Sequence, residues 1–326
     1  MLARLKHATT VPLWTAELLT GAKSFEGNGV IGSQWLNQRG LHVGRVRLAH
    51  RLAEARRVRL AAAVRPEDRM AFDRDGYVVR RDFLPTATFD ALLAELRGYP
   101  AKLRERFEGD SILRKTTVTP DVLRALPALA SLLATPDWDA LIRYVGGRDA
   151  APVVHLQSIL QHAQTGPRDP QTYPHADTFH PTVKAWFYLT DVAEDAGPLT
   201  YVPGSHRLTP SRLAWEQRMS LRARQAEDED TRQGSFRIEA ADLGELGLPM
   251  PRPLAVPANT LIVADTFGFH ARGRSLRPSL RVEVWAFGRR NPFLPWTRLD
   301  PLVSAVGLPR VADWRLRTGT LFDPAG

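Results

Sequence analysis

The chain has 326 residues, of which 44% are hydrophobic and 24% charged, with 25 prolines, 23 glycines and no cysteine. That composition supplies a large buried core and excludes low-complexity, collagen-like and wholly disordered chains. With no cysteine there is no disulfide scaffold, thiolate metal site, iron–sulfur cluster or cysteine nucleophile, and no run approaches the roughly 20 apolar residues that span a bilayer.

The formal charge of +9 is unevenly placed. Residues 1–65 carry eleven Lys/Arg against Glu17, Glu26 and Glu54, whereas the remainder carries 33 basic and 32 acidic side chains. The opening stretch, MLARLKHATTVPLWTAELL, has Glu17 in its apolar part and no small-residue cleavage pattern. It is a poor signal peptide, and the protein reads as cytoplasmic. Most of the charge lies in LHVGRVRLAHRLAEARRVRLAAAV (residues 41–64), a stretch rich in helix formers. Leu41, Leu48, Leu52 and Ala55 recur at helical spacing, with Arg45 and Arg59 intruding on that face. Two readings follow. Either the helix packs on the main domain with a solvated basic face, or it is a peripheral anchor on an anionic membrane, where each Arg adds about 1 kcal/mol. Nucleic acid is the weaker partner, because no aromatic residues interleave the basic ones.

Further along, Pro66-Glu67-Asp68 marks a helix start, and residues 73–85 a short strand after a turn. Residues 87–99 and 120–133 read as helices. From Pro152 the texture changes to short β segments: VVHLQSIL, VKAWFYLTDV, LTYVPGSH, ANTLIVAD and LRVEVWAFG. Many short strands without alternating helices predict a mainly β protein with helices (α+β), built on an antiparallel sandwich or barrel. Residues 208–233 form a polar, helix-prone insertion of the kind that serves as a lid or substrate loop. The expected organisation is a basic N-terminal extension over 1–65 and an enzyme domain over 66–326. Within that domain, helical support spans 66–150 and the β core 151–290.

His175-Ala176-Asp177 is the chemically pointed pair. In extended backbone, residues i and i+2 face the same way, so imidazole and carboxylate grip one ion from one side. His270, after ANTLIVAD, supplies a second imidazole and completes a two-His, one-carboxylate set that leaves positions open on Fe(II). Alternation in LRVEVWAFG puts Arg281, Glu283 and Trp285 on one face, where a guanidinium pairs bidentately with a carboxylate. Lys184 and Trp186 likewise share a face, suited either to an anionic substrate or to solvent.

The ordered combination of HAD (175–177), GPLTYVPGSH (197–206) and His270 with Arg281 eleven residues later resembles the phytanoyl-CoA dioxygenase family. The resemblance covers roughly residues 70–290 and implies a double-stranded β-helix (jelly-roll) core. It also implies Fe(II) as cofactor, with 2-oxoglutarate and O₂ as co-substrates. By that match His175, Asp177 and His270 are the iron ligands and Arg281 the partner of the C5 carboxylate of 2-oxoglutarate. LQSILQ (156–161) looks like the ectoine hydroxylase branch, which makes Gln161 the first and Gln157 the second candidate for an amide on the oxo-acid. Around the distal histidine, HARGRSLRPSLR lacks the usual Asn and Ser, for which Ser275 or Ser279 stands in. The implied activity is hydroxylation of a small organic or lipid-like substrate with release of succinate and CO₂. The alternatives are a metal-binding barrel without turnover, or epimerisation, desaturation or ring formation at the same centre.

Overall fold

The computed structural model describes residues 2–288, 291–294 and 315–323, with side chains from residue 10 onward, so the expected domain end at 326 lies outside the described residues. The chain opens with α1 (Leu2–Glu17), α2 (Gln34–Gln38), α3 (Leu41–Leu60) and α4 (Pro66–Asp75). Helix α4 ends at Gly76, whose φ of +87° suits glycine alone and whose Cα approaches the His206 ring and the Tyr201 hydroxyl too closely for a Cβ. Strand β1 (Tyr77–Arg80) and α5 (Thr86–Arg97) follow. Next come the hairpin β2 (Ala101–Glu108) and β3 (Ser111–Thr117) and the helices α6 (Pro120–Ala125), α7 (Pro127–Leu133) and α8 (Pro136–Gly146).

Two local expectations are corrected here. The region expected to be helical support also contributes a hairpin, hidden in the sequence because charged residues occupy both faces of KLRERFEGDSILRKTT. The single helix expected over 120–133 is two, since Pro127 removes a backbone donor and starts a new helix.

The β core comprises β4 (Val153–Gln161), β5 (Val183–Tyr188), β6 (Leu199–Tyr201), β7 (Arg252–Leu254), β8 (Thr260–Asp265), β9 (His270–Arg272) and β10 (Ser279–Phe287), with β11 (Arg315–Gly319) at the far edge. Eight strands pair antiparallel in the order β1-β8-β5-β10-β4-β3-β2-β11, and three more in the order β7-β6-β9. The two sheets form the jelly roll. Alternation divides each strand of the large sheet: Val282, Val284 and Ala286 of β10 face α5–α8 with Leu92, Trp138, Leu141 and Ile142, while Arg281, Glu283, Trp285 and Phe287 face the small sheet. Each large apolar side chain buried in that layer contributes about 1.5–3 kcal/mol.

A second core joins segments far apart in sequence. Phe25 and Ile31 from the N-terminal segment pack with Ala176, Trp215, Met219, Phe236 and Phe269. Trp215 and Met219 come from α9 (Pro210–Arg222), which with α10 (Glu229–Arg232) makes up the insertion, and α11 (Ala240–Leu246) follows it. The insertion is thus a packed layer sealed by the N-terminal segment.

Helix α3 buries a different face from the one its leucines suggest. Leu48 is 47% exposed, whereas Arg45, Arg56 and Arg57 are buried with Val46, Ala49 and Ala53. Arg45 donates to the carbonyls of Leu18, Thr20 and Ala22, Arg56 to Gly147, and Arg57 to Val145 and the buried Asp265 carboxylate at 2.8 Å. Guanidinium groups that bridge elements account for these three charges without a lipid surface. No described helix is long and apolar enough to cross a membrane.

Candidate metal centre

His175 and Asp177 lie on an extended stretch before β5, and His270 opens β9. The main chains of His175 and His270 exchange hydrogen bonds of 3.0 Å in both directions, and the Asp177 amide donates to the Thr266 carbonyl at 2.9 Å. On the other side Ala176 N donates to the Phe236 carbonyl, so the segment that follows the insertion braces the same stretch. One nitrogen or oxygen from each of His175, Asp177 and His270 falls within 4.8 Å of the others. Both Nε2 atoms lie 3.7 Å from Asp177 Oδ1.

Carbonyl oxygens orient the imidazoles. His175 Nδ1 is 2.8 Å from the Tyr173 carbonyl and His270 Nδ1 3.1 Å from that of Gly268. Each Nδ1 therefore carries the proton and each Nε2 presents its lone pair to the shared point. Loss of solvent is the main cause that pushes His270 down to about 3, against the pull of Asp177, so it is neutral at ordinary pH. Burial alone would raise the Asp177 carboxyl, but Lys184, His270 and His175 outweigh it and hold it well below the usual carboxylate range. Two imidazoles and one carboxylate on one side of a point, with a cavity on the other, fit a divalent ion with open positions.

That cavity has a volume of about 680 Å³. Arg281 is buried at its inner end, 5% exposed. Its Nη1 donates to the Gly197 carbonyl at 2.8 Å. Its Nε lies 3.0 Å from Glu283 Oε2 but off the line of a hydrogen bond, and so has no hydrogen-bond partner. Glu283 also accepts from Gln157 Nε2. Of the two candidate amides, Gln157 lines the cavity and Gln161 does not. Both point to the same side of β4, but Gln161 pairs with Ser279, beyond Arg281, and its amide is held against Gly197. Ser275 and Ser279 bond each other and the 195–197 turn, away from the cavity. His206 is buried against Phe72 and away from the cavity. His180 lines the outer cavity, with Nδ1 donating to the Pro181 carbonyl.

Three cavity lysines were open or unread in the sequence. Lys184 faces inward, 2.7 Å from Asp177 Oδ2 and 3.5 Å from His270 Nε2. Lys115, on the missed hairpin, pairs in register with Gln157 and stands 4.0 Å over the Trp285 ring. Loss of solvent there pushes it down to about 7. Lys23, from the N-terminal segment, also reaches the cavity wall.

A jelly roll that presents a two-His, one-carboxylate set to a cavity belongs to the class of metal-centred β-barrel enzymes. The sequence matches the phytanoyl-CoA dioxygenase (PhyH) family over residues 72–242, and the chain belongs to that family. No curated protein matches the chain. Among solved structures it is similar to the epimerase SnoN from nogalamycin biosynthesis, in complex with Fe3+, alpha ketoglutarate and nogalamycin RO. That pair is 21% identical, covering 74% of this chain and 93% of SnoN, with a TM-score of 0.46. The alpha-ketoglutarate-dependent carbocyclase SnoK is 17% identical over 78% of this chain and 96% of its own, with a TM-score of 0.44. HygX from Streptomyces hygroscopicus, with nickel and 2-oxoglutarate bound, is 18% identical over 69% and 87%, also at 0.44.

Proposed function

We propose that the chain is an Fe(II)- and 2-oxoglutarate-dependent oxygenase that hydroxylates an unactivated C–H bond of a small organic or lipid-like molecule, with release of succinate and CO₂. What supports this above all is one cavity that joins the His175–Asp177–His270 set to the buried guanidinium of Arg281. In this reading the three side chains hold the ion, and the ion with O₂ and the oxo-acid supplies the oxidation. Arg281 takes the far carboxylate of the oxo-acid, and Glu283 holds both Arg281 and Gln157 in place. Trp186, Trp285 and Phe287 line the cavity wall. The N-terminal segment and the family core work as one unit, since Gly21 and Lys23 complete the wall.

Under air with Fe(II), the protein is expected to convert 2-oxoglutarate to succinate, and Arg281→Ala to weaken 2-oxoglutarate binding at least tenfold by calorimetry. An Arg281→Ala protein that binds the oxo-acid as well as wild type would sink the assignment.

Lys115 gives a pH signature. Its folded pKa is lowered, so it is charged below about 7 and neutral above. A dianionic oxo-acid near Lys115 favours the charged form. Affinity for 2-oxoglutarate should therefore fall as pH rises above about 7, with proton uptake on binding visible in calorimetry across buffers of different ionisation enthalpy. Lys115→Met should flatten the profile, and an unchanged slope in that variant would remove Lys115 from the site.

A further inference from the structure

The loop between the candidate ligand Asp177 and β5 is stitched to a single residue. The Asp177 amide donates to the Thr266 carbonyl, and the Thr266 amide donates to the Thr182 carbonyl at 2.8 Å. Thr178, His180 and Thr182 are thereby gathered around Thr266, and all four line the cavity beside the triad. Two of these groups have hydrogen-bonding capacity that the fold does not use. Thr266 is fully buried, and its hydroxyl has no hydrogen-bond partner among the described residues. Burying a hydroxyl without a partner is costly, so one kept beside a cavity calls for a ligand. His180 is buried too, and its Nδ1 proton goes to the Pro181 carbonyl at 2.9 Å. That leaves Nε2 as an acceptor with no partner among the described residues. Loss of solvent pushes this imidazole down to about 3, so it stays neutral.

The cations of the wall are engaged by the protein itself. Lys184 pairs with the Asp177 carboxylate, and Lys23 donates to the Asp177 carbonyl and to Ser235 Oγ. Arg272 pairs with Asp169 and Glu108, Arg281 donates to Gly197 beside Glu283, and Lys115 stands over the Trp285 ring. What the loop at 178–182 and Thr266 offer a substrate is therefore neutral hydrogen bonding. On β10, Trp285 and Phe287 are half-buried in the same cavity, with ring centroids 4.7 Å apart, and supply an apolar wall. The geometry points to a subsite for a polyhydroxylated ring, a saccharide or cyclitol, whose hydroxyl edge meets His180 and Thr266 and whose C–H face lies on Trp285 and Phe287. This rests on the oxygenase reading of the same cavity and narrows its substrate to one that presents several hydroxyls. A cavity of about 680 Å³ accommodates such a ring beside a five-carbon oxo-acid. A site built to hydrogen-bond a hydroxyl rejects the analogue that lacks it, because its own polar groups are then left unpaired.

The test uses full-length protein loaded with Ni(II) and 2-oxoglutarate, titrated by calorimetry with methyl α-D-glucopyranoside, with myo-inositol and with cyclohexanol. Wild type is expected to bind at least one of the two polyols saturably, and at least tenfold more tightly than cyclohexanol, which lacks the hydroxyl edge. The tighter polyol tells saccharide from cyclitol. Thr266→Val should weaken polyol binding at least tenfold while melting no lower than wild type, since its hydroxyl has no bond to lose. His180→Phe should weaken it at least tenfold, and His180→Gln, which keeps an acceptor, should recover part of the loss. The subsite is overturned if neither polyol saturates wild type, if cyclohexanol binds as tightly, or if Thr266→Val and His180→Phe leave polyol binding unchanged. It is also overturned if Thr266→Val weakens 2-oxoglutarate in step with the polyol, which would assign the hydroxyl to the oxo-acid. Failure of wild type to bind 2-oxoglutarate would overturn the oxygenase reading alone, because polyol binding is also read on the Ni(II)-loaded protein without the oxo-acid.

Discussion

Asp177→Ala is expected to lower divalent metal affinity at least a hundredfold and to abolish succinate formation, while the protein stays folded. The carboxylate is the charged member of the ligand set, and each imidazole contributes one neutral lone pair held by a carbonyl behind it. Removing the carboxylate takes away the charge that attracts a hard divalent ion and leaves two soft contacts on one side. The fold should survive, because the Asp177 amide still donates to Thr266 and its carbonyl still accepts from Lys23. The abandoned Lys184 ammonium, 21% exposed, regains water from the cavity. Metal at a hundred times its dissociation constant stabilises a folded protein by about 2.7 kcal/mol. Wild type should therefore show a metal-dependent rise in melting temperature that Asp177→Ala and His270→Ala lack. A variant that keeps the full shift would mean the ion binds elsewhere.

How much of this was legible in the sequence depends on which physical rule wrote each feature. The inward row of β10 followed from alternation alone, because the helix-facing residues Val282, Val284 and Ala286 leave Arg281, Glu283 and Trp285 a single destination. The i, i+2 spacing of His175 and Asp177 was equally local. His270 came from its place after a strand, and its main-chain pairing with His175 is the long-range fact that brings the ligands together. Gln161 against Gln157 was beyond parity, since both face the same side of β4. Their difference lies in depth, set by Gly197 packing on one and the cavity opening over the other. Helix α3 misleads pattern reading because arginine counts as polar, yet Arg45, Arg56 and Arg57 bury their stems and spend their guanidinium groups on carbonyls and Asp265. Lys23 was out of reach: nothing local to GAKSFEG announces that its lysine will meet residue 177.

The same packing determines what happens when the N-terminal segment is removed. Read from charge alone, residues 1–65 look like a detachable extension whose deletion spares turnover. The structure predicts the opposite outcome. Deletion removes Phe25, Ile31 and Val46 from two cores, at about 1.5–3 kcal/mol for each large apolar side chain. It also takes His42 from Glu216, which keeps Arg212, and takes the counter-ion Arg57 from Asp265, whose carboxylate is fully buried. Against a total stability of about 5–15 kcal/mol, the truncated chain should show no cooperative unfolding transition. Arg57→Met isolates one term of that loss. Asp265 would keep its bonds from the Thr182 and Phe267 amides but lose its counter-ion, at a cost of about 3–5 kcal/mol, seen as a lower urea midpoint. Burial already raises the Asp265 carboxyl even with Arg57 present. A carboxyl whose folded pKa is raised is most stabilising when protonated, and that contribution is lost as pH rises through the folded value. The deficit of Arg57→Met against wild type should accordingly shrink on acidification. A deficit that stays constant with pH, or a truncated chain that unfolds cooperatively and still makes succinate, would show that α3 and the segment before it are attached to the barrel without being part of its core.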